Sequence, residues 1–181
     1  MNRYHTLERR LGALIVDLVV VVAPLALFDY LILASETPRP LLVVWLLISN
    51  GAGAVYHILL QGLYGQTLGK MLFGVKVVRN DDETPITMYQ AFLREVPTIL
   101  FNIISFAGQV SSILSGAPID RAEPNPVLMV LGVLAFPWVL AEVISALKTR
   151  KRRAIHDFIA GTVVIRTDLA TRAEETRTTA G

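Results

Sequence analysis

Three long, unbroken apolar runs constrain this chain more than any other feature of its sequence. They are Leu11–Leu33, Leu41–Tyr64 and Pro126–Leu147. An α-helix needs about 20 predominantly apolar residues to cross the roughly 30 Å hydrocarbon core of a bilayer, and each run is long enough. Only 18% of the 181 residues are charged, whereas about a quarter are charged in a typical soluble domain. The sequence therefore predicts a membrane protein, and the first run is too long for a cleaved signal peptide, whose apolar part has about 7–15 residues.

A fourth apolar segment, Pro97–Gly116, is more polar than the other three. It carries amide side chains and several serines, so hydropathy alone does not decide whether it spans. Basic residues concentrate in residues 3–10, 70–94 and 148–153, and cytoplasmic flanks carry an excess of Lys and Arg. Four spans place all three basic regions in the cytoplasm, whereas three spans separate the first from the last. We therefore expect an all-α membrane protein, a four-helix transmembrane bundle with both termini cytoplasmic. The alternative is that Pro97–Gly116 lies in the interface or re-enters.

Two short β-branched segments lie in the expected cytoplasmic regions. Gly74–Val78 and Thr162–Arg166 are typical of strands, and a turn-rich break follows the first. We expect them to pair into a small cytoplasmic β element supported by the helix ends, since an isolated strand pair is marginally stable in water. Residues 1–167 then form one transmembrane domain, and the polar residues 168–181 form a disordered cytoplasmic tail.

Asp17 is the strongest candidate for a functional side chain. It follows Arg10 by seven residues, or almost two helical turns, so both lie on one face of the first helix about 10 Å apart. An ionised carboxylate at this depth is costly and normally faces a partner or a water-filled cavity. One hypothesis is that Asp17 binds a proton or a cation. The alternative is an internal ion pair with a basic residue of another segment.

Two more polar side chains in the spans are candidates for binding an ion or a proton. Glu142 lies one to two turns from the cytoplasmic end of the last run, where it could pair with Arg10, Lys70 or its own basic flank. His57 in the second run could relay protons, or it could be a hydrogen-bonded packing residue. The histidines have no metal-ligand spacing, so we predict no metal site and no other cofactor.

The composition excludes several classes of function. The chain has no cysteine, which excludes disulfides, thiolate nucleophiles and cysteine-based metal sites. Its formal net charge of +2 is too small to indicate a nucleic-acid partner. No nucleophile motif is present, so we do not expect an enzyme.

The segment GQTLGK, Gly65 to Lys70, resembles a phosphate-binding loop only superficially. The Walker pattern requires four residues between its first Gly and Gly-Lys, followed by Ser or Thr. Here three residues intervene and Met71 follows the lysine. We interpret the segment as a tight turn after the second span, in which glycines permit close backbone approach and Lys70 lies at the lipid headgroups.

The sequence KTRKRRAIHD, Lys148 to Asp157, contains the strongest cluster of charge. Its five cations would attract anionic lipid headgroups, at about 1 kcal/mol each near the surface, and they would also fix the topology. Asp157 follows the cluster directly. It can accept hydrogen bonds from Arg10, Arg153 or Arg94, or cap the turn after it.

Four segments together resemble the RDD family of prokaryotic membrane proteins. They are RRLGALIVD, GQTLGKMLFGVKVV, AFLRE around Arg94, and RRAIHDFIAGTVVIR. The family is named for an arginine and two aspartates, which correspond here to Arg10 (or Arg9), Asp17 and Asp157. The positions that match the family motifs are Arg10, Asp17, Gly65, Thr67, Gly69, Lys70, Arg94, His156 and Asp157. The family is usually described with fewer than four spans, and Pro97–Gly116 is where this chain departs from that description.

The resemblance implies a prokaryotic plasma membrane protein of largely unassigned function. Transport of an unknown ligand is the standing suggestion for the family, with cation/proton exchange proposed for some members. For this chain we expect transport or exchange of a monovalent cation or proton, by a homo-oligomer because four helices are few for a complete pathway. The alternative is a non-transporting membrane scaffold or accessory subunit held together by Arg/Asp pairs.

Overall fold

A computed structural model describes residues 3–115 and 125–167 of the chain. Within them, four helices are long and apolar enough to cross a membrane: Leu7–Leu33, Arg39–Tyr64, Met88–Leu114 and Pro126–Lys148. They confirm the predicted fold of four spanning helices. The helix that contains most of Pro97–Gly116 begins earlier than the apolar segment does, so its first turns carry polar residues. The predicted tail, residues 168–181, lies outside the described residues.

The first span changes helical type near its middle. It consists of α1 (Leu7–Asp17), a π-helical stretch (Leu18–Val22) and α2 (Ala23–Leu33). Pro24 explains the change, because it has no N–H to donate to the carbonyl four residues earlier and its ring clashes with that carbonyl. The N–H of Ala23 instead bonds to the carbonyl of Leu18, five residues earlier. Such π stretches within α-helices are frequent at functional sites.

The second and third spans pack against each other most extensively. The second, α3 (Arg39–Tyr64), ends at Gly65, whose φ of 72° is the left-handed conformation that favours glycine. The third, α5 (Met88–Leu114), begins with a capping box in which Thr87 and Gln90 bond reciprocally to backbone N–H groups. The fourth, α6 (Pro126–Lys148), contacts α5.

Two short helices and two strands lie together at one end of the bundle, which we call the sheet end. Helix α4 (Leu68–Leu72) precedes strand β1 (Val75–Arg79), and helix α7 (Ile155–Ile159) precedes strand β2 (Thr162–Arg166). The strands are antiparallel, with Val77 opposite Val164. This confirms the predicted β element, with β1 shifted by one residue.

The strand pair is stabilised by burial against the helices. Val75, Val77 and Val164 pack with Ile86, just before α5, and Ala91, in its first turn, and all five are at most 5% exposed. Their burial provides the apolar support that a strand pair lacks in isolation. The sheet therefore fixes the polar ends of the spans relative to one another.

Candidate functional site

Asp17 is the last residue of α1 and its side chain is buried. Its carboxylate accepts hydrogen bonds from Tyr56 Oη at 2.9 Å, Thr67 Oγ1 at 2.6 Å and the Gly69 N–H at 2.9 Å. All three donors are neutral. The expected ion pair with a basic residue is therefore not the arrangement found at Asp17.

The GQTLGK segment brings α4 against the first span. A Cβ atom at Gly69 would lie 2.1 Å from the carbonyl oxygen of Ala13, so only glycine permits this approach. Thr67 caps α4 by accepting a hydrogen bond from the Lys70 N–H at 3.4 Å. Tyr56 Oη also accepts from the Leu68 N–H at 3.0 Å. The structure contains the close backbone approach expected of this segment. That approach brings α4 into contact with Asp17.

Asp157, at the sheet end, has a different environment. It is completely buried, accepts a hydrogen bond from Arg10 Nη2 at 2.8 Å and contacts Arg94 Nη1. Its carboxylate also accepts the Ala154 N–H at 3.0 Å and so caps α7. Burial acts to raise the pKa of Asp157, but the guanidinium groups of Arg94 and Arg10, with His156, hold it well below its usual value. The expected bond from Arg153 goes instead to the Asp157 backbone carbonyl.

The two arginines at the start of the first span have different partners. Arg9 Nη1 donates to the carbonyl of Phe73 at 3.1 Å. Arg10 Nη1 donates to the carbonyl of Arg152 at 3.0 Å, and its Nη2 reaches Asp157. Arg10 therefore pairs with Asp157, at the sheet end. It binds Asp157 and not Asp17, so the three residues expected to act as a set form two separate sites.

A polar network runs from Asp157 into the membrane-spanning part. Arg94 Nε donates to Gln61 Oε1 at 2.9 Å, and Gln61 Nε2 donates to Glu95 Oε1 at 3.3 Å. The same Glu95 oxygen lies 3.2 Å from His57 Nδ1. The sequence predicts no role for Gln61, one of the polar residues of the second span, or for Glu95. The signals were available: Gln61 lies one turn after His57, and Glu95 follows Arg94 directly.

Glu142 lies at the sheet end, where its carboxylate binds the start of α7. Its carboxylate accepts the N–H groups of Ile155 at 2.9 Å and His156 at 3.3 Å, and lies 3.0 Å from His156 Nδ1. These contacts cap α7 and replace the expected pairing with Arg10, Lys70 or the basic flank. Glu142 is not among the residues that line the cavity described next.

A cavity of about 350 Å³ lies between the first span, α3 and α5. The π-helical stretch forms part of its wall through Leu18, Val21 and Val22. Gly53 leaves space there, because a Cβ atom at this position would meet nothing within 4 Å. The polar residues of its lining are Asp17, Asp29, Ser49, Asn50, His57, Thr98, Asn102 and Gln109. Most of the lining surface is apolar, and these eight side chains supply its polar part.

The amide side chains that lower the mean hydropathy of the third span face α3 across this cavity. Asn102 Nδ2 donates to the carbonyl of Asn50 at 2.8 Å, and Asn50 Nδ2 donates to the carbonyl of Leu46 at 2.8 Å. Gln109 Nε2 donates to Ser105 Oγ at 2.9 Å. Because of these polar side chains, hydropathy alone did not decide whether the segment spans the membrane. In the structure they point into the protein.

Asp29 lies at the end of the cavity remote from the sheet. Its Oδ1 accepts a hydrogen bond from Trp45 Nε1 at 2.6 Å, and the Trp45 ring contacts Phe28 with centroids 6.1 Å apart. Asp29 follows Asp17 by twelve residues on one helix, or about 18 Å. The cavity thus has a carboxylate near each end.

Lys70, which the sequence predicts to lie at the lipid headgroups, is near the charged groups of the sheet end. It is partly buried, and its ammonium is surrounded by protein charges, those of Arg94, Glu95, Arg10 and Asp157. Burial, together with the positive charges of Arg94 and Arg10, lowers the pKa of Lys70 to about 7. Among the described residues, no group of three or more His, Cys, Asp or Glu side chains could hold a metal ion.

The chain matches a known protein family along most of its length. A family model described as RDD family matches residues 4–161. The matched range contains Asp17 and Asp157 together with Arg10 and Arg94. No curated protein and no solved structure matches the chain.

Proposed function

We propose that this chain, which belongs to the RDD family, moves a monovalent cation across a membrane in exchange for protons. The observation that supports this most directly is the cavity of about 350 Å³ between three of the four spans, whose mostly apolar lining includes the carboxylate of Asp17. Ionisable residues within membrane spans are costly and mark ion or proton pathways. The proposal includes no enzymatic step and no cofactor.

Asp17 is the cation- or proton-binding group in this proposal. Its three hydrogen-bond donors, from Tyr56, Thr67 and Gly69, are neutral, so they orient the carboxylate without cancelling its charge. Asp157, by contrast, is neutralised by two arginines. An oriented carboxylate with uncancelled charge beside a cavity attracts a hard cation or a proton, for which oxygen ligands are suited.

The remaining parts of the proposal concern exposure, orientation and assembly. The helices expose the Asp17 site alternately to the two sides, with His57 as a relay at the sheet end of the cavity. The sheet end faces the cytoplasm of a prokaryotic cell, the side favoured by the basic residues 148–153 that lie there. In this orientation these residues attract anionic headgroups. The working unit is a homo-oligomer, since one copy supplies only four spans.

The test is proton flux in liposomes that contain the purified chain and a pH-sensitive dye. Addition of Na⁺ or K⁺ outside the liposomes should drive proton efflux in the wild type. Asp17→Asn should abolish that flux with little change in melting temperature, because the amide oxygen can still accept from Tyr56 Oη and the Gly69 N–H and the amide NH2 can donate to Thr67 Oγ1. Asp81→Asn, in an exposed turn, is the matched control and should keep the flux. A wild type that moves neither ion would overturn the proposal.

A second candidate is a non-transporting scaffold or accessory subunit. The observation that favours it is the Asp157 cluster, in which Arg10 of α1 and Arg94 of α5 meet a side chain of α7. Such a cluster holds the ends of the spans together, and this structural role does not require a cavity. The same liposomes separate the two: a scaffold would show no flux, and Asp17→Asn would then act through stability alone.

A further inference from the structure

The middle of the cavity is lined by neutral amide side chains. Asn50 lies near the middle of α3, Asn102 lies near the middle of α5, and Gln109 follows about two turns later on α5. All three residues line the cavity. The middle of a spanning helix lies near the midplane of the bilayer, which is the level at which secondary transporters bind their substrates and coupling ions.

Hydrogen bonds to backbone carbonyls determine how these amides are oriented. Asn102 Nδ2 donates to the carbonyl of Asn50 at 2.8 Å, and Asn50 Nδ2 donates to the carbonyl of Leu46 at 2.8 Å. A carbonyl oxygen can only accept, so the NH2 group of each amide must face it. Gln109 Nε2 lies 3.5 Å from Asn50 Oδ1 and 2.9 Å from Ser105 Oγ. The amide nitrogens are therefore engaged with the helices that they connect.

The side-chain oxygens of Asn102 and Gln109 have no hydrogen-bond donor. Within residues 3–115 and 125–167, no N–H or O–H group donates to Asn102 Oδ1 or to Gln109 Oε1. In the same ranges no buried side-chain nitrogen or oxygen lacks a partner, so both oxygens border open space. An unsatisfied polar group that faces hydrocarbon is costly, whereas the cavity that both residues line can hold water or a cation.

These amides lie between the two carboxylates of the cavity. Asp29 accepts a hydrogen bond from Trp45, and Asp17 accepts one from Tyr56. Both donors belong to α3, and Asn50 follows Trp45 by five residues and precedes Tyr56 by six. These intervals correspond to about 7.5 and 9 Å along the helix, so the amides lie roughly halfway between the carboxylates. Among the described residues that line the cavity, none is a lysine or an arginine that would repel a cation.

We propose that Asn102 Oδ1 and Gln109 Oε1 form a neutral binding site for a partly dehydrated monovalent cation, with Asn50 holding both side chains in place. This inference rests on the proposed exchange of a cation for protons, and it names the site that selects the cation. Carbonyl oxygens replace the hydration shell of alkali cations in selective channels, and amide oxygens offer the same chemistry. Divalent ions are disfavoured here, because they prefer carboxylate ligands.

Cation binding can be measured without transport, on purified protein in detergent. The probes are ²²Na⁺ and ⁸⁶Rb⁺, the latter as a substitute for K⁺, in a scintillation proximity assay. Asn102→Leu and Gln109→Met remove one amide oxygen each and keep a side chain of similar size. Each should weaken binding by about tenfold or more, because one contact to a charged group is lost. Each should also change the ratio of the Na⁺ and Rb⁺ affinities, which a loss of packing alone would not do.

Two outcomes of the binding assay would overturn the inference. One is a wild type that binds neither cation. The other is an unchanged affinity and an unchanged Na⁺/Rb⁺ ratio in a folded variant. Because the two substitutions are on different turns of α5, either of them is sufficient if the other does not fold.

Asn125→Ala is the matched control. Asn125 is also an amide that connects two spans, since its Nδ2 donates to the Gly108 carbonyl and to Ser112 Oγ of α5, both at 2.9 Å. It is not among the residues that line the cavity. The substitution should lower the melting temperature through the lost interhelical hydrogen bonds and leave both cation affinities unchanged. An equal loss of affinity in Asn125→Ala would show that the amides act through helix packing, and it would overturn the inference.

Liposome flux distinguishes failure of this site from failure of the proposed exchange. In Asn102→Leu and Gln109→Met, the cation concentration that gives half-maximal proton efflux should rise by about tenfold or more, in line with the weaker binding. An unchanged half-maximal concentration and cation preference in folded variants would overturn the amide site and leave the exchange standing. A wild type whose cation binding depends on the amides, but which shows no cation-driven proton flux, would overturn the exchange and leave the binding site standing.

Discussion

Asp17 and Asp157 are both buried carboxylates, but they differ in the charge of their neighbours. Asp17 is held by a phenol, a hydroxyl and a backbone N–H. Asp157 is held by Arg10 and Arg94. Breaking a buried ion pair by removing one partner leaves an uncompensated charge, so substitutions at Asp157 should cost stability more than they alter ion binding.

Arg10 and Asp157 are predicted to be energetically coupled. Asp157→Asn and Arg10→Gln should each destabilise the protein, by about 1.5–3 kcal/mol if a charge-assisted hydrogen bond is the main loss. The double variant should cost clearly less than the sum, measured by thermal or denaturant unfolding in detergent.

Arg9→Gln is the control for this cycle. Arg9 donates to the carbonyl of Phe73, so combining Arg9→Gln with Asp157→Asn should give additive losses. Additive losses for Arg10 and Asp157 as well would show that their contact contributes no coupling energy.

The stability of the protein should depend on Asp157 in acid. Because its folded-state pKa lies well below the usual value, its contribution is fully present above the unfolded value of about 3.9 and is lost as pH falls through the folded-state pKa. Unfolding followed from pH 7 downward should show this acid-dependent loss in the wild type. Asp157→Asn should have a smaller acid dependence, while Asp81→Asn should follow the wild type.

At the scale of elements, the short helix α4 joins the sheet end to the first span. Its position depends on glycine at residue 69, because the backbones of α4 and α1 approach too closely for a Cβ atom. The π-helical stretch follows immediately after Asp17, the residue on which α4 is placed. The π-helical stretch, the contact at Gly69 and part of the cavity wall therefore lie next to one another in the first span.

Gly69→Ala is predicted to be destabilising, and Gly53→Ala is its matched control. The added methyl group at residue 69 would lie 2.1 Å from the Ala13 carbonyl oxygen, which is backbone and cannot rotate away. Overpacking of this kind typically costs about 1–3 kcal/mol. At Gly53 the same methyl group meets nothing within 4 Å. A melting temperature that is lower for Gly69→Ala than for Gly53→Ala would support the contact, and equal values would contradict it.

For the whole molecule, we expect the four spans to place both ends of the chain on the same side of the membrane. Single cysteines test this without background, since the chain has none of its own. Ser35→Cys and Ala122→Cys should react with an impermeant thiol reagent added outside cells, and Thr6→Cys and Thr171→Cys should not. Thr6 is completely buried and would stay unlabelled on either side, so Thr171→Cys decides the sidedness. Ser35 follows the first span and Thr6 precedes it; Ala122 and Thr171 lie outside the described residues. Labelling of Thr171→Cys from outside would indicate three spans.

The spans and the strand pair could be predicted because their signals are local. The length of an apolar run determines whether a helix can cross the bilayer, and β-branched residues at Thr162–Arg166 favour a strand regardless of the partner. The Pro97–Gly116 segment was decided by charge distribution, another property of the sequence alone. Membership of the RDD family was likewise visible in four short segments that occur in order.

The partners of the polar side chains were decided by the tertiary structure. A buried carboxylate satisfies its oxygens with whichever donors the packing brings within 3 Å, and these come from distant segments. Asp17 therefore met Tyr56 and Thr67 where an ion pair was one expectation, and Glu142 met the backbone of α7. The sequence determined that these residues must be satisfied, because unpaired charge in a low-dielectric interior is costly. Which group satisfies each of them depends on how the helices pack, and no local pattern encodes that.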